Sequence, residues 1–182
     1  MLGFLRRNLK TKNIGIKQGA YTSLVRPLLE YSCTIWDPHS ADKIHKIEKV
    51  QNSAARYIAC KPLNYKEPDS VSQIKADLKI EDLQNRRKKF KISMAHKIIK
   101  NEVEVQVPLQ PGKNVPYYTF NERPSRTNTS RLNEVQALNE QHRNSFFVES
   151  IRLYNQIPEG ISGAPDLKTF KVRLASHKFT LT

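Results

Sequence analysis

Apolar residues recur every three or four positions through most of residues 2–100, and that spacing restricts this part of the chain to helices that each bury one face. Leu2, Phe4, Leu5 and Leu9 sit at helical spacing beside Arg6, Arg7 and Lys10. No capping residue precedes them, so the run reads as a helix whose beginning is missing, with Leu2, Leu5 and Leu9 as an exposed apolar edge. A second helix is predicted from about Ile16 to Tyr31, burying Ala20, Tyr21, Leu24, Leu28 and Tyr31. Pro27 lies inside it and removes a backbone donor, so a kink is expected there. If the kink turns Trp36 onto the core, the sole tryptophan is largely buried. Trp36-Asp37-Pro38-His39 reads as a turn.

Ser40 is placed to cap a helix of about Ala41 to Ala59, with Ile44, Ile47, Val50/Gln51, Ala54 and Ile58 along one line. A Pro-rich loop follows, and Ser70 with Gln73 has the spacing of a capping box opening a short helix through Leu78. A longer helix from about Glu81 to Lys100 carries Leu83, Phe90, Met94 and Ile98 as its expected buried stripe. From Val103 the pattern changes. Val103, Val105 and Val107 alternate with polar residues as in a strand, and residues 108–144 are rich in Pro, Gly, Asn, Ser and Thr, with room for one short β-hairpin. Two closing helices are expected, at about Phe146–Asn155 and Asp166–His177. The predicted fold class is therefore mainly α: a basic helical bundle over 1–100, a loose segment over 101–144 and a C-terminal helical extension over 145–182.

Charge is as uneven as periodicity. Residues 1–100 hold 21 basic and 9 acidic side chains, a net +12, whereas residues 101–182 hold 10 and 8, a net +2. So one-sided a field draws polyanions, of which nucleic acid is the commonest a basic domain meets. The candidate nucleic-acid-binding residues are Arg6, Arg7, Lys10, Lys12, Lys17, Arg26 and Arg56, followed by the run Arg86, Arg87, Lys88 and Lys89. Four successive helical residues point around the whole helix, so one of Arg86–Lys89 is expected to turn inward and pair with an acid or snorkel. The competing reading of any single cation is a solvated surface. Arg123, Arg126 and Arg131 are expected to matter less than either cluster.

No catalytic or metal-ligating residue is assigned. Cys33, His39, His45 and Cys60 are spaced by five, five and fourteen residues, a poor match to the two tight ligand pairs of a structural zinc site. Pro68-Asp69 and Asp77-Leu78-Lys79 mimic the carboxylate–lysine pattern of restriction-like nucleases. The gap is only seven residues, however, and a capping box stands where such an enzyme needs a strand. With six glycines, a phosphate-cradling loop is hard to build. Two cysteines make no disulfide framework, Arg6-Arg7 directly after Met1–Leu5 reverses the order of a signal peptide, and no apolar run spans a bilayer. The expected setting is intracellular, with no membrane partner.

Several blocks resemble one family. Leu2-Gly3-Phe4-Leu5-Arg6-Arg7-Asn8-Leu9 is followed by Ala20-Tyr21, Ser23-Leu24-Val25-Arg26-Pro27-Leu28-Leu29-Glu30-Tyr31 and Ile35-Trp36-Asp37-Pro38. Then come Ile47-Glu48-Lys49-Val50-Gln51, Ala54-Ala55-Arg56-Tyr57-Ile58 and Leu83 with Arg86-Arg87. The series ends with Ser145-Phe146-Phe147, Ile151-Arg152-Leu153-Tyr154-Asn155, Ile157-Pro158, Ala164-Pro165 and Phe170-Lys171 with Leu174. In this order they resemble the segment that follows the palm in reverse transcriptases of jockey-like and chicken-repeat-like non-LTR retrotransposons. The resemblance implies a thumb-like region and its extension, which grips template–primer RNA and DNA beside the palm and is nuclear when it acts with the parent element. It implies no active site here. The fingers and palm, with the Asp-Asp motif that holds catalytic Mg2+, belong upstream, and Asp-Asp occurs nowhere in this chain. Departures include Tyr154, where relatives carry Trp, and Ile157 in place of Leu. A stand-alone basic binding module is the alternative, and a nuclease the remote one.

Overall fold

Pro27 produces the first departure from regular helix, and not as a simple kink. In the computed structural model α1 (Leu2–Asn8) is followed by α2 (Ile14–Ala20), a π-helical turn over Tyr21–Val25 and then α3 (Arg26–Glu30). The amide of Arg26 bonds back five residues to Tyr21 O. The wider turn accommodates a ring that, in an α-helix, collides with the carbonyl four residues back and lacks the donor to satisfy it. It also moves the buried face. Lys17, Tyr21 and Val25 are buried and Leu29 is half-buried, a spacing of four that a π turn keeps in line. The expected face is corrected accordingly: Leu24 and Leu28 are exposed, and Tyr31 is 78% exposed.

The structure describes residues 1–61, 68–105, 132, 134, 136–177 and 179, with 68–70 as backbone. Among them the fold is mainly α, with no strand. After α3 come α4 (Cys33–Trp36), α5 (Ala41–Ile58), α6 (Pro68–Asp77), α7 (Leu83–Ile99), α8 (Glu140–Arg143), α9 (Phe146–Asn155), α10 (Glu159–Ser162) and α11 (Leu167–Ala175). Trp36, expected in the core, is 40% exposed, its indole N–H donating to Tyr31 O. Val103 and Val105 are irregular rather than extended, whereas Val107, the hairpin segment and Arg123, Arg126 and Arg131 fall outside the described residues. So does the side chain of Ser70; α6 begins two residues earlier, at Pro68.

Three helices end alike without a glycine. Cys60, Lys79 and Asn101 take left-handed φ of 58°, 53° and 55°. In each case the following amide bonds five residues back: Lys61 N to Arg56 O, Ile80 N to Lys75 O and Glu102 N to Lys97 O. This is the Schellman closure, usually given to glycine because any side chain there costs about 1 kcal/mol.

The chain packs as two units, Met1–Arg87 and Lys88–Thr182. The division between them falls inside α7. Its core joins Leu5, Tyr21, Val25, Ala54 and Ile58, with Leu2, Leu29, Tyr57, Leu78 and Ile80 packed on it. Leu5, read as part of an exposed edge, is only 4% exposed, because α1 lays it on this cluster. The second core joins Ile92, Ala95, Leu132, Ile151, Leu153, Tyr154, Ile157, Phe170 and Leu174. Phe146 is half-buried and meets Phe147 edge-on, ring centres 5.4 Å apart. The two expected closing helices are α9 and α11. Asp166 caps α11 by accepting from Thr169 N at 2.9 Å, and the one-turn helices α8 and α10 are additional.

Candidate nucleic-acid interface

The acids decide which cations are available. In the first 40 residues six basic side chains face only two acidic ones, Glu30 and Asp37. Both acids are taken by α7. Arg86 makes a two-pronged contact with Glu30, Nη2 lying 3.0 Å from Oε2 and Nε bonding Oε1. That carboxylate holds the Arg86 pKa above its ordinary value. Arg87 is 0% exposed, and its Nε donates to Asp37 Oδ1 at 2.6 Å. Its two Nη groups have no hydrogen-bond partner among the described residues. Lys89 Nζ donates to Ala175 O at 2.6 Å, and Lys88 is half-buried with contacts of its own.

Of the run Arg86–Lys89, Arg87 is the member that turns inward and pairs with an acid, as the helical geometry predicts, and the run is tied into the protein at further points. Arg87 is inaccessible to a phosphate, Arg86 is half-buried with Nε and Nη2 on Glu30, and Lys89 is half-buried with its Nζ donating to Ala175 O. The stripe beside it is corrected. Leu83, Arg87 and Lys91 occupy the inward line, Lys91 pairing with Glu149, whereas Phe90 is exposed. Ion-paired cations stand at core positions that an apolar pattern assigns to hydrophobes.

Lys17 is the other loss. It is 6% exposed, and its Nζ donates to Tyr57 O at 3.1 Å, lies 3.2 Å from Cys60 Sγ and sits 4.5 Å above the centre of the Tyr57 ring. Arg26 is half-buried with Nε 4.0 Å from Glu30, and Arg56 is half-buried with its Nε enclosed and without a partner. Arg6 is half-buried, and its Nη2 donates to Ser53 O at 2.7 Å.

Arg7, Lys10 and Lys12 remain exposed. They lie at the end of α1 and on the bend leading into α2, and that bend is held in place. Tyr57 Oη donates to Leu9 O at 2.7 Å and lies 3.3 Å from Leu5 O, closing the end of α1 from α5. Asn13 caps α2 by accepting from Ile16 N at 3.1 Å. Cys60 Sγ lies 3.9 Å from Lys12 O. Lys61, which was not singled out, is exposed next to Cys60. The bend presents cations with no acid among the 29 residues that precede Glu30. Lys43, Lys46 and Lys49 were also missed. They are exposed one per turn along α5, Lys46 pairing with Asp42 at 3.0 Å, and their three-residue spacing was the available signal.

Beneath the helices lies a buried polar centre. Tyr21 Oη donates to Gln51 Oε1 at 2.8 Å, and Gln51 Nε2 donates to Glu81 O at 2.9 Å. Glu48 accepts from Lys75 Nζ at 3.1 Å and from Leu83 N at 3.2 Å. Burial raises the pKa of both Tyr21 and Glu48, Lys75 opposing the shift at Glu48. With every strong donor matched, this centre fixes how α2, α5 and α7 meet.

The nuclease-like pattern lies on a helix. Asp69 and Asp77 are eight residues apart within α6, a rise of roughly 12 Å, too far to share one ion. Among the described residues no group of three His, Cys, Asp or Glu side chains is placed to hold a metal, and no helix is long and apolar enough to cross a membrane. Comparison of the chain with protein-family models, curated proteins and solved structures finds no match.

Proposed function

We propose that this chain is the post-palm, thumb-like portion of a non-LTR retrotransposon reverse transcriptase, and that it binds template–primer nucleic acid without catalysing any reaction. The ordered sequence blocks support the family, and the exposed cations Arg7, Lys10 and Lys12, on a braced bend and without an ion pair among the described residues, support the binding. Such contacts hold the phosphate backbone and read no sequence. On this reading the partners are RNA and DNA together with the fingers and palm of the parent polymerase, and the site of action is the nucleus. Magnesium chemistry belongs, on this reading, to the palm.

Binding of the purified chain to an RNA–DNA primer–template, measured across salt concentration, tests the proposal. Each phosphate neutralised contributes about -0.7 to -0.9 to the log–log slope. Replacing Arg7, Lys10 and Lys12 together by Gln is expected to flatten the slope by about two to three units. Binding that ignores salt overturns the reading. Genomic sequence immediately upstream of Met1 separates a polymerase piece from a stand-alone module: a continuing or decayed frame encoding the Asp-Asp motif marks the former.

A further inference from the structure

Lys17 is a buried ammonium with no carboxylate partner among the described residues. Its donors meet one backbone carbonyl, one aromatic face and the sulfur of Cys60, and the residue is 6% exposed. A buried charge held only by neutral groups is costly, so whatever supplies negative charge beside it is stabilised. Among the described residues the ionisable groups it touches are Tyr57, through its ring face, and the Cys60 thiol, at 3.2 Å. Lys17 comes from α2 and Cys60 from the end of α5, so the fold builds this pair from distant sequence. The left-handed backbone at Cys60, φ 58°, leaves the residue exposed while its sulfur stays on the ammonium. Lys10, Lys12 and Lys61 are exposed on the bend and next to Cys60, and Lys12 O lies 3.9 Å from the sulfur. An exposed cysteine whose sulfur lies next to a fixed cation has the surroundings of a reactive cysteine. Cys33, buried, has none of this access and serves as an internal control.

We propose that Cys60 with Lys17 is a thiol-modification site whose reagent is a small anionic disulfide, and that its modification regulates the nucleic-acid surface. The regulatory half rests on the proposed binding function; the chemistry does not. Cys60 loses its proton to solvent and its sulfur attacks one sulfur of the disulfide. The reagent's S–S bond breaks, a new S–S bond joins Cys60 to one half, and the other half leaves as a thiolate that solvent protonates. Cys60 is oxidised and the reagent is reduced by the same electron pair. Lys17 is a positioning residue: its ammonium stabilises the negative sulfur through the attack. The attached group brings carboxylates to the bend, where Cys60 Sγ is 3.9 Å from Lys12 O, and so competes with phosphate for Lys10 and Lys12.

Glutathione disulfide is the probe, with neutral hydroxyethyl disulfide beside it, and modification is followed by mass spectrometry with peptide mapping. Cys60 is expected to react at least tenfold faster than Cys33 and about tenfold faster than a cysteine in an unstructured peptide of equal net charge. The anionic disulfide is expected to outpace the neutral one. Lys17→Met, with unchanged helical circular dichroism, is expected to slow Cys60 about tenfold; an unchanged rate overturns the site. If that variant does not fold, the wild-type comparison decides, and a Cys60 rate within twofold of the peptide overturns the proposal. For regulation, the modified chain is expected to bind a primer–template about tenfold more weakly at low salt and to recover with dithiothreitol, whereas Cys60→Ser is indifferent to the oxidant. Full affinity after complete modification overturns regulation alone. A wild-type chain that binds no nucleic acid overturns the proposed function, and the reaction rates still decide the thiol site.

Discussion

Removing Asp37 should damage the first unit far more than removing the arginine it holds. Arg87 has no exposed surface, and Asp37 is its one hydrogen-bond partner among the described residues. Asp37→Ala therefore leaves a guanidinium in the interior with nothing to bond, a change that costs about 3–5 kcal/mol. A unit of this size is stable by only about 4–13 kcal/mol at the usual 0.05–0.15 kcal/mol per residue, so the loss is a large fraction of the whole. Arg87→Met removes the charge and keeps an apolar stem. Asp37 retains other interactions, so the cost should be smaller, about 1–2 kcal/mol. The double replacement Arg87→Met with Asp37→Leu should recover most of the deficit. Urea unfolding followed by the fluorescence anisotropy of Trp36 suits the test, because this only tryptophan lies beside Asp37 in this unit and its rotation is freed on unfolding whatever its exposure. With a slope near 1.5 kcal/mol per molar, Asp37→Ala should lower the midpoint by roughly 2–3 M. A shift below about 0.5 M, or a double variant no better than the worse single one, would refute the reasoning.

Three further outcomes follow from the same geometry. Replacing Arg86, Arg87 and Lys88 by Gln should leave the salt slope of primer–template binding unchanged while lowering stability, the opposite of the Arg7, Lys10 and Lys12 triple; equal slope loss from both sets would return the α7 run to the binding surface. His96 is buried, stacked 3.9 Å from the Phe170 ring with Nδ1 3.1 Å from Tyr154 Oη, and burial followed by nearby Lys100 lowers its pKa. Its unfolded form thus takes a proton first, so the second unit should be unaffected above about pH 6.5 and lose stability as pH falls below it. Amide exchange in α9 measures this, and His96→Phe should remove part of the drop; an identical acid response in both chains would exclude His96 as its source. Trp36, being 40% exposed, should emit at long wavelength and be quenched by acrylamide in the folded chain, and a blue, protected emission would contradict the structure.

Helix existence was readable because each helix carries its own apolar period, and α5, α7, α9 and α11 lie within a few residues of their predicted bounds. Faces were less readable where a local feature changed the count. The turn at Tyr21–Val25 carries no signature beyond Pro27, and it moved the buried line from Leu24 and Leu28 to Val25 and Leu29. Burial of Arg87 and Lys91 depends on Asp37 and Glu149, which lie 50 and 58 residues away in sequence, so the run Arg86–Lys89 shows locally that one member turns inward but not which one. Exposure of Arg7, Lys10 and Lys12 was legible, since no acid stands near them in sequence. Enclosure of Lys17 was not, because its partners are a carbonyl and a ring on α5.

The wide turn at Tyr21–Val25 can also be described as a helix carrying one residue too many. Lys17, Tyr21, Val25 and Leu29 stand at steps of four, eight and twelve, longer than a regular helix keeps on one side. Delete exposed Ser23, and the same four side chains stand at steps of four, seven and eleven, the positions that share one face of an ordinary α-helix. Losing a single residue from the middle of a helix normally rotates everything after it by about 100° and scrambles the core. In this helix the loss restores the ordinary repeat. The shortened chain should keep its core and a cooperative melt at a cost of about 3 kcal/mol, because Pro27 then meets the carbonyl four residues back in an ordinary α-helix, whereas a one-residue deletion at Asn52 in α5 should abolish the melt.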